Sequence, residues 1–167
     1  QCERDEVAVV FGTGNGSAEV VARNLRAITA NGLGAVEPLS FQESVFNAPG
    51  SRISIEYGFR GPLLALPMGW SAGGHAIVSA AEVIEFGHAE VALVVAADEV
   101  TPLTHEAMVA LGLARGSEAA NRFDAQPRIP FYPSEGAAAV VLETRVHAAK
   151  RGARPLLELA GWGINSD

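Results

Sequence analysis

The chain has 167 residues, 49% hydrophobic and 19% charged, with 18 Gly and a single Cys; this describes one compact folded domain and excludes a disordered or collagen-like chain. Twelve Lys and Arg against nineteen Asp and Glu leave a net charge of −7, and without a basic cluster nothing drives binding to a nucleic-acid backbone. No apolar run approaches the ~18–20 residues that a membrane-spanning helix requires. Cys2 alone cannot form an internal disulfide or a zinc site, which fits a cytoplasmic protein. The first ten residues run from charge into a strand without a signal-peptide pattern. The absence of an initiator Met points to an upstream segment that is removed or not represented.

In chain order, residues 6–11 form a β-branched apolar run closed by Gly12, a buried strand. Ser17 can cap a helix over residues 18–30, with Val20, Val21, Leu25 and Ile28 on one face and Gly32 closing it. Residues 34–49 read as loop. Ile53, Ile55, Tyr57 and Phe59 alternate, yet Gly50, Ser51 and Gly58 flank them, so strand and short helix both remain open. Residues 63–66 are a second buried strand. Residues 71–86 form a helix whose first turns are nearly all small, from Ser71, Ala72, Gly73 and Gly74 to Ala80 and Ala81; with no polar face it is expected to be buried all round.

Residues 91–97 show no polar alternation, as in a strand covered on both faces, and residues 103–114 are predicted helical. Residues 115–134, with Pro127, Pro130 and Pro133, form a long connection of a length that is usually functional. Residues 137–142 and 156–160 are the last predicted strands, joined by a short basic helix over residues 147–151. Alternating strands and helices predict an α/β layered domain, with no repeat and no internal domain boundary.

Four local patterns could carry chemistry. Gly12-Thr13-Gly14-Asn15-Gly16 leaves a strand and opens a helix, where a dinucleotide fingerprint would sit, but its third Gly comes one residue early and no acidic strand end follows ~20 residues on. A tight turn is the better reading. Gly69-Trp70-Ser71-Ala72-Gly73 matches the nucleophile elbow G-x-S-x-G, which would make Ser71 the nucleophile of a serine acyl hydrolase or transferase. The later histidines are poor partners: His147 lies on the basic helix and reads as solvated surface. His105-Glu106 starts like a zinc-binding helix but has Val109 where the second His belongs, so no metal site is expected. Asp98-Glu99 could mark a ligand crevice at a strand end; the plainer expectation is a cap on the following turn with Thr101 and Pro102.

Taken together, the segments resemble the N-terminal half of the β-ketoacyl synthase family, which has the thiolase-like fold. The residues that carry the resemblance are 9–14, then Phe46-Asn47-Ala48-Pro49-Gly50-Ser51-Arg52-Ile53, and Gly58-Phe59-Arg60-Gly61-Pro62. Gly73-Gly74-His75-Ala76-Ile77 follows, then Gly87-His88-Ala89-Glu90-Val91, Arg122-Phe123-Asp124, and Ser134-Glu135-Gly136 leading to Glu143. The resemblance implies an α/β, thiolase-like half over residues 1–167: a mixed sheet flanked by helices, residues 71–86 as the central buried helix, and no C-terminal half. It also favours helix for residues 53–57.

In active members a cysteine heads that helix, where a lowered pKa exposes the thiolate to an acyl thioester. Counting back from Gly73-Gly74-His75 puts Trp70 in its place, and His75 at a position that packs rather than catalyses. The family's two catalytic histidines belong to the C-terminal half. Loss of the cysteine is similar to chain-length factors, the silent partners of type II polyketide ketosynthases, although the residue found there is a different one. The resemblance therefore implies a non-catalytic subunit of fatty-acid or polyketide biosynthesis. It would form a homodimer or a heterodimer with a ketosynthase, touch acyl carrier protein through that partner, and need no cofactor. Trp70 would plug the acyl pocket, with Phe41, Phe46 and Met108 as further lining. The alternatives are the Ser71 hydrolase and a purely structural fragment.

Overall fold

The computed structural model describes residues 6–114 and 132–165; the segment Arg122-Phe123-Asp124 and most of the predicted long connection lie outside the described residues. A four-stranded mixed sheet in the order β2-β1-β3-β4 organises the chain. Strand β1 (Val7–Thr13) is buried along its whole length. It lies parallel to β2 (Leu63–Pro67) on one side and to β3 (Val91–Asp98) on the other, with Val9 opposite both Leu63 and Leu93. Strand β4 (Gly136–Glu143) runs antiparallel to β3, from Asp98 opposite Gly136 to Val91 opposite Glu143.

Side chains two apart share a sheet face, so Ala8 and Val10 of β1 join Ala92 and Val94 of β3 in one apolar layer. Against it pack Ala76, Ala80 and Val83 of helix α4 (Ala72–Glu85), with Leu64, Leu66, Ile77, Ile84 and Leu142 at its margin. Small residues at helical spacing let α4 approach closely: a Cβ on Gly12 would sit 2.6 Å from the Ala72 carbonyl oxygen. On the opposite face, α3 (Ala48–Tyr57) approaches through Gly50, where a Cβ would meet Leu63 Cδ1 at 2.9 Å. Helix α1 (Ala18–Asn31) buries only Asn24, whose side chain accepts from the Ser40 hydroxyl at 2.6 Å and ties α1 to the short α2 (Pro38–Gln42). Helix α5 (Pro102–Ala110) starts with a Thr101/Thr104 capping box, and α6 (Arg145–Lys150) follows β4 with Thr144 as its cap. Among the described residues no helix is long and apolar enough to cross a membrane.

The expected α/β architecture of a mixed sheet flanked by helices is the observed one, with corrections in its parts. The predicted helix over residues 71–86 begins one residue later, after a single 3-10 turn over Gly69–Ser71. It is not buried all round: the sheet covers one side, Ala72, Ala76, Ala80, Ala81 and Val83 are buried, and Gly74 is exposed. The expected loop over residues 34–49 contains α2 and the start of α3, because Pro49 fits the first helical turn, where its missing N–H is not needed. Residues 53–57 are helical. Residues 156–160 are not a strand: with no neighbouring strand to pair with, the run stays open, Leu156 96% and Leu157 91% exposed. Residues 63–66, expected as a buried strand, are half-buried to exposed in β2, and β4 is exposed at Val140 and Val141, since among the described residues each has one neighbouring strand.

Candidate functional site

Three parallel strands deliver their carboxyl ends to one edge of the sheet, the edge where open α/β sheets form their crevices. Thr13 ends β1, Pro67 lies opposite it at the end of β2, and Asp98 ends β3. The Asp98 carboxylate accepts from the Thr13 hydroxyl at 2.8 Å, from the Gly14 amide at 2.8 and 3.0 Å and from the Asn15 amide at 2.9 Å. Successive amides converging on one oxygen pair form an anion-binding nest. The nest is closed by the Gly16 amide, which donates to the Thr13 hydroxyl oxygen at 2.9 Å. Gly16 has φ +58° and lies under the Phe46 ring. A Cβ on Gly14 would sit 3.1 Å from both Asp98 Oδ2 and the Gly69 carbonyl oxygen, so the loop is held flat between β3 and the turn that leaves β2.

That turn leads into α4. Met68 N–H donates to the Leu66 carbonyl at 3.1 Å, Gly69 takes φ +58°, and the 3-10 turn delivers the chain to Ala72, whose N–H donates to the Gly69 carbonyl. Trp70 stands on this turn with 75% of its surface exposed, at the end of α4 where free backbone N–H groups and the helix dipole point outward. Ser71 has the angles of a turn residue, φ −89° and ψ −1°, with no positive φ, and its hydroxyl donates to the Met68 carbonyl at 2.9 Å. The strain of a nucleophile elbow is absent at Ser71, and its hydroxyl meets a carbonyl where a hydrolase needs a base.

The other residues singled out from the sequence are dispersed. Phe41 lies 65% exposed on α2, Phe46 covers Gly16, and Met108 is half-buried on α5. The groove of about 450 Å³ between α2 and α3, lined by Leu39, Gln42, Val45, Ser51 and Ile55 among others, contains neither them nor Trp70. His75 is half-buried on α4 and His88 is exposed after it.

Two expectations are corrected. Asp98 does not cap the turn at Thr101, where the Thr101 hydroxyl itself caps α5 by accepting from the Thr104 N–H at 3.2 Å; Asp98 binds the β1 loop 83 to 85 residues away. His147 is not solvated surface but 8% exposed, its Nδ1 2.6 Å from Glu143 Oε2. Arg151 reaches the same carboxylate through Nε at 2.9 Å and Nη2 at 2.5 Å. The Arg151 hydrogen bonds, aided by His147 and opposed by burial, hold the Glu143 carboxyl down at about 2. The Asp98 nest was missed because its parts are far apart in sequence; the signal for it was the glycine-rich run, correctly placed for an anion but with the anion supplied by the chain itself.

Comparison with known proteins puts this geometry in context. A family profile described as "Beta-ketoacyl synthase, N-terminal domain" matches residues 1–148. Over 99% of its length the chain is 29% identical to the mitochondrial 3-oxoacyl-(acyl-carrier-protein) synthase of Arabidopsis thaliana, covering 37% of that protein. It is 30% identical to 3-oxoacyl-(acyl-carrier-protein) synthase 2 of Vibrio harveyi over 96% of the chain and 40% of that protein. A β-ketoacyl synthase from Burkholderia phymatum STM815 superimposes with a TM-score of 0.76 at 25% identity, covering 90% of this chain and 38% of the other. A type II PKS acyl-carrier protein in complex with its ketosynthase, bound to the hexaketide, gives 0.75 at 29% identity, covering 92% and 43%. The ishigamide ketosynthase/chain length factor shares the fold, with a TM-score of 0.69 at 21% identity over 85% of this chain and 37% of the other. The chain spans about two fifths of the length of the curated relatives it matches.

Proposed function

Because the chain belongs to the β-ketoacyl synthase family, we propose that it is a ketosynthase-like subunit of fatty-acid or polyketide assembly that does not itself form carbon–carbon bonds. One observation supports this: Trp70 stands on the turn that heads α4, and the resemblance assigns that position to the nucleophilic cysteine of active members. An indole has no sulfur to take up an acyl group, so the covalent half of a condensation has no acceptor here. The backbone that would activate a thiolate is retained; the reactive atom is not.

Residues 1–167 act in this proposal as an N-terminal ketosynthase unit of a protein that pairs with a second ketosynthase-type subunit. Trp70 then closes or shortens the acyl tunnel, and Phe41, Phe46 and Met108 join its wall only once the partner covers the α4 head. The net charge of −7 leaves docking of an acidic carrier protein to basic residues of the partner. The second reading, acyl transfer by Ser71, is disfavoured by its relaxed backbone and by the Met68 carbonyl that its hydroxyl donates to.

The test uses the full protein with and without a partner ketosynthase. Alone it is expected to leave acyl and malonyl thioesters uncondensed, because residue 70 offers no thiolate at the head of α4. Condensation by the unpartnered protein would overturn the proposal. Fluorophosphonate labelling at Ser71 would establish the hydrolase instead. Trp70→Ala is expected to lengthen the acyl chain accepted by the assembled complex; unchanged acyl-thioester binding would leave the chain a purely structural fragment.

A further inference from the structure

The glycine-rich loop after β1 has the form of a phosphate cradle, yet its amides are already engaged by the side chain of Asp98. We propose that Asp98 is a positioning residue: its carboxylate, seated in the nest of Thr13, Gly14 and Asn15, sets the turn that carries residue 70. The chain of contacts is short. Asp98 fixes Thr13 and the two amides after it. Gly14 lies so close against the Gly69 carbonyl that a Cβ there would be 3.1 Å from it. The same carbonyl accepts the Ala72 N–H that begins α4. Gly12 lies closer still to the Ala72 carbonyl, 2.6 Å from a Cβ placed on it, so the end of β1 touches both sides of the turn.

A carboxylate suits this task because it has only acceptors, while all its partners here are donors. An amide with its oxygen at the Oδ1 position would turn its NH2 toward the Gly14 N–H that now donates to Oδ2. Trp70 is not itself in the nest; Asp98 acts on it through the β1 loop and the Gly69 carbonyl. The inference rests on these contacts alone and holds whatever residue 70 does to an acyl chain.

The experiment reads Trp70 directly. In a Trp162→Phe background Trp70 is the single indole, and 5-fluorotryptophan gives it one 19F resonance. Asp98→Ala and Thr13→Val are expected to shift or split that resonance, while Thr13→Ser, which keeps the hydroxyl, restores the parent spectrum. A parent-like Trp70 resonance in folded Asp98→Ala and Thr13→Val would overturn the proposal. Should Asp98→Ala fail to fold, the Thr13 pair decides. Native-state hydrogen exchange on the unmodified protein needs no variant: the amides of Gly14, Asn15 and Ala72 are expected to open as one unit, with rates within about threefold. An Ala72 amide that exchanges about tenfold or more faster than those of Gly14 and Asn15 would equally overturn it.

Discussion

Glu143 closes β4 with a carboxylate shared by His147 and Arg151, and its side chain is only 15% exposed. Its carboxyl lies at about 2 against an ordinary 4.5, mainly through the Arg151 hydrogen bonds. A carboxylate depressed in the folded state stabilises above its unfolded pKa, and that contribution disappears as pH falls. The loss is therefore expected between pH 4.5 and 2, read as the urea midpoint over a pH series, and Arg151→Ala is expected to flatten that acid limb. At neutral pH Glu143→Gln is expected to destabilise by about 1–3 kcal/mol, since it leaves a buried imidazole poorly matched. None of this was legible from local composition, because Lys150 and the two alanines around His147 look like surface. The spacing of four between Glu143 and His147 was the available clue; burial of the imidazole depends on how α6 folds back after β4.

The strands were the most legible elements. The run over residues 6–11 carries enough β-branched and apolar residues to fix both place and burial. The unalternating run over residues 91–97 fixes the place of β3, which is buried at Val91, Ala92 and Val94 and half-buried from Val95 on. Helix α3 was ambiguous because Pro49 and Gly50 look like breakers. One fits the first helical turn, and the other lets the helix lie on Phe11 and Leu63. The close contact of α4 with β1 yields a sharp prediction at this scale. Gly12→Ala drives a methyl to 2.6 Å from a backbone oxygen and is expected to cost about 1–3 kcal/mol in chemical denaturation. Gly34→Ala, with nothing within 4 Å of the new methyl, is expected to leave the midpoint unchanged or slightly raised.

At the scale of the molecule, α4 packs against the sheet on one side and, among the described residues, Trp70, Phe86, Val140 and Val141 are exposed. Burying such surface stabilises by ~25 cal/mol per Å², which would favour the partner subunit of the proposed function. Gly74 reports on that face. A Cβ there has nothing within 4 Å, so Gly74→Ala is expected to stabilise the chain alone by up to about 1 kcal/mol through helix propensity. The same methyl is expected to weaken assembly with a ketosynthase subunit, measured as a raised Kd, if that subunit packs on α4. The sequence by itself determined the strands, the small-residue helix and the tryptophan at its head, because periodicity and residue size are written locally. Only the tertiary structure decided that Asp98 fills the glycine loop, that His147 is buried, and that residues 156–160 are not a strand. Those outcomes depend on which distant segments share an edge of the sheet, and no local pattern encodes that.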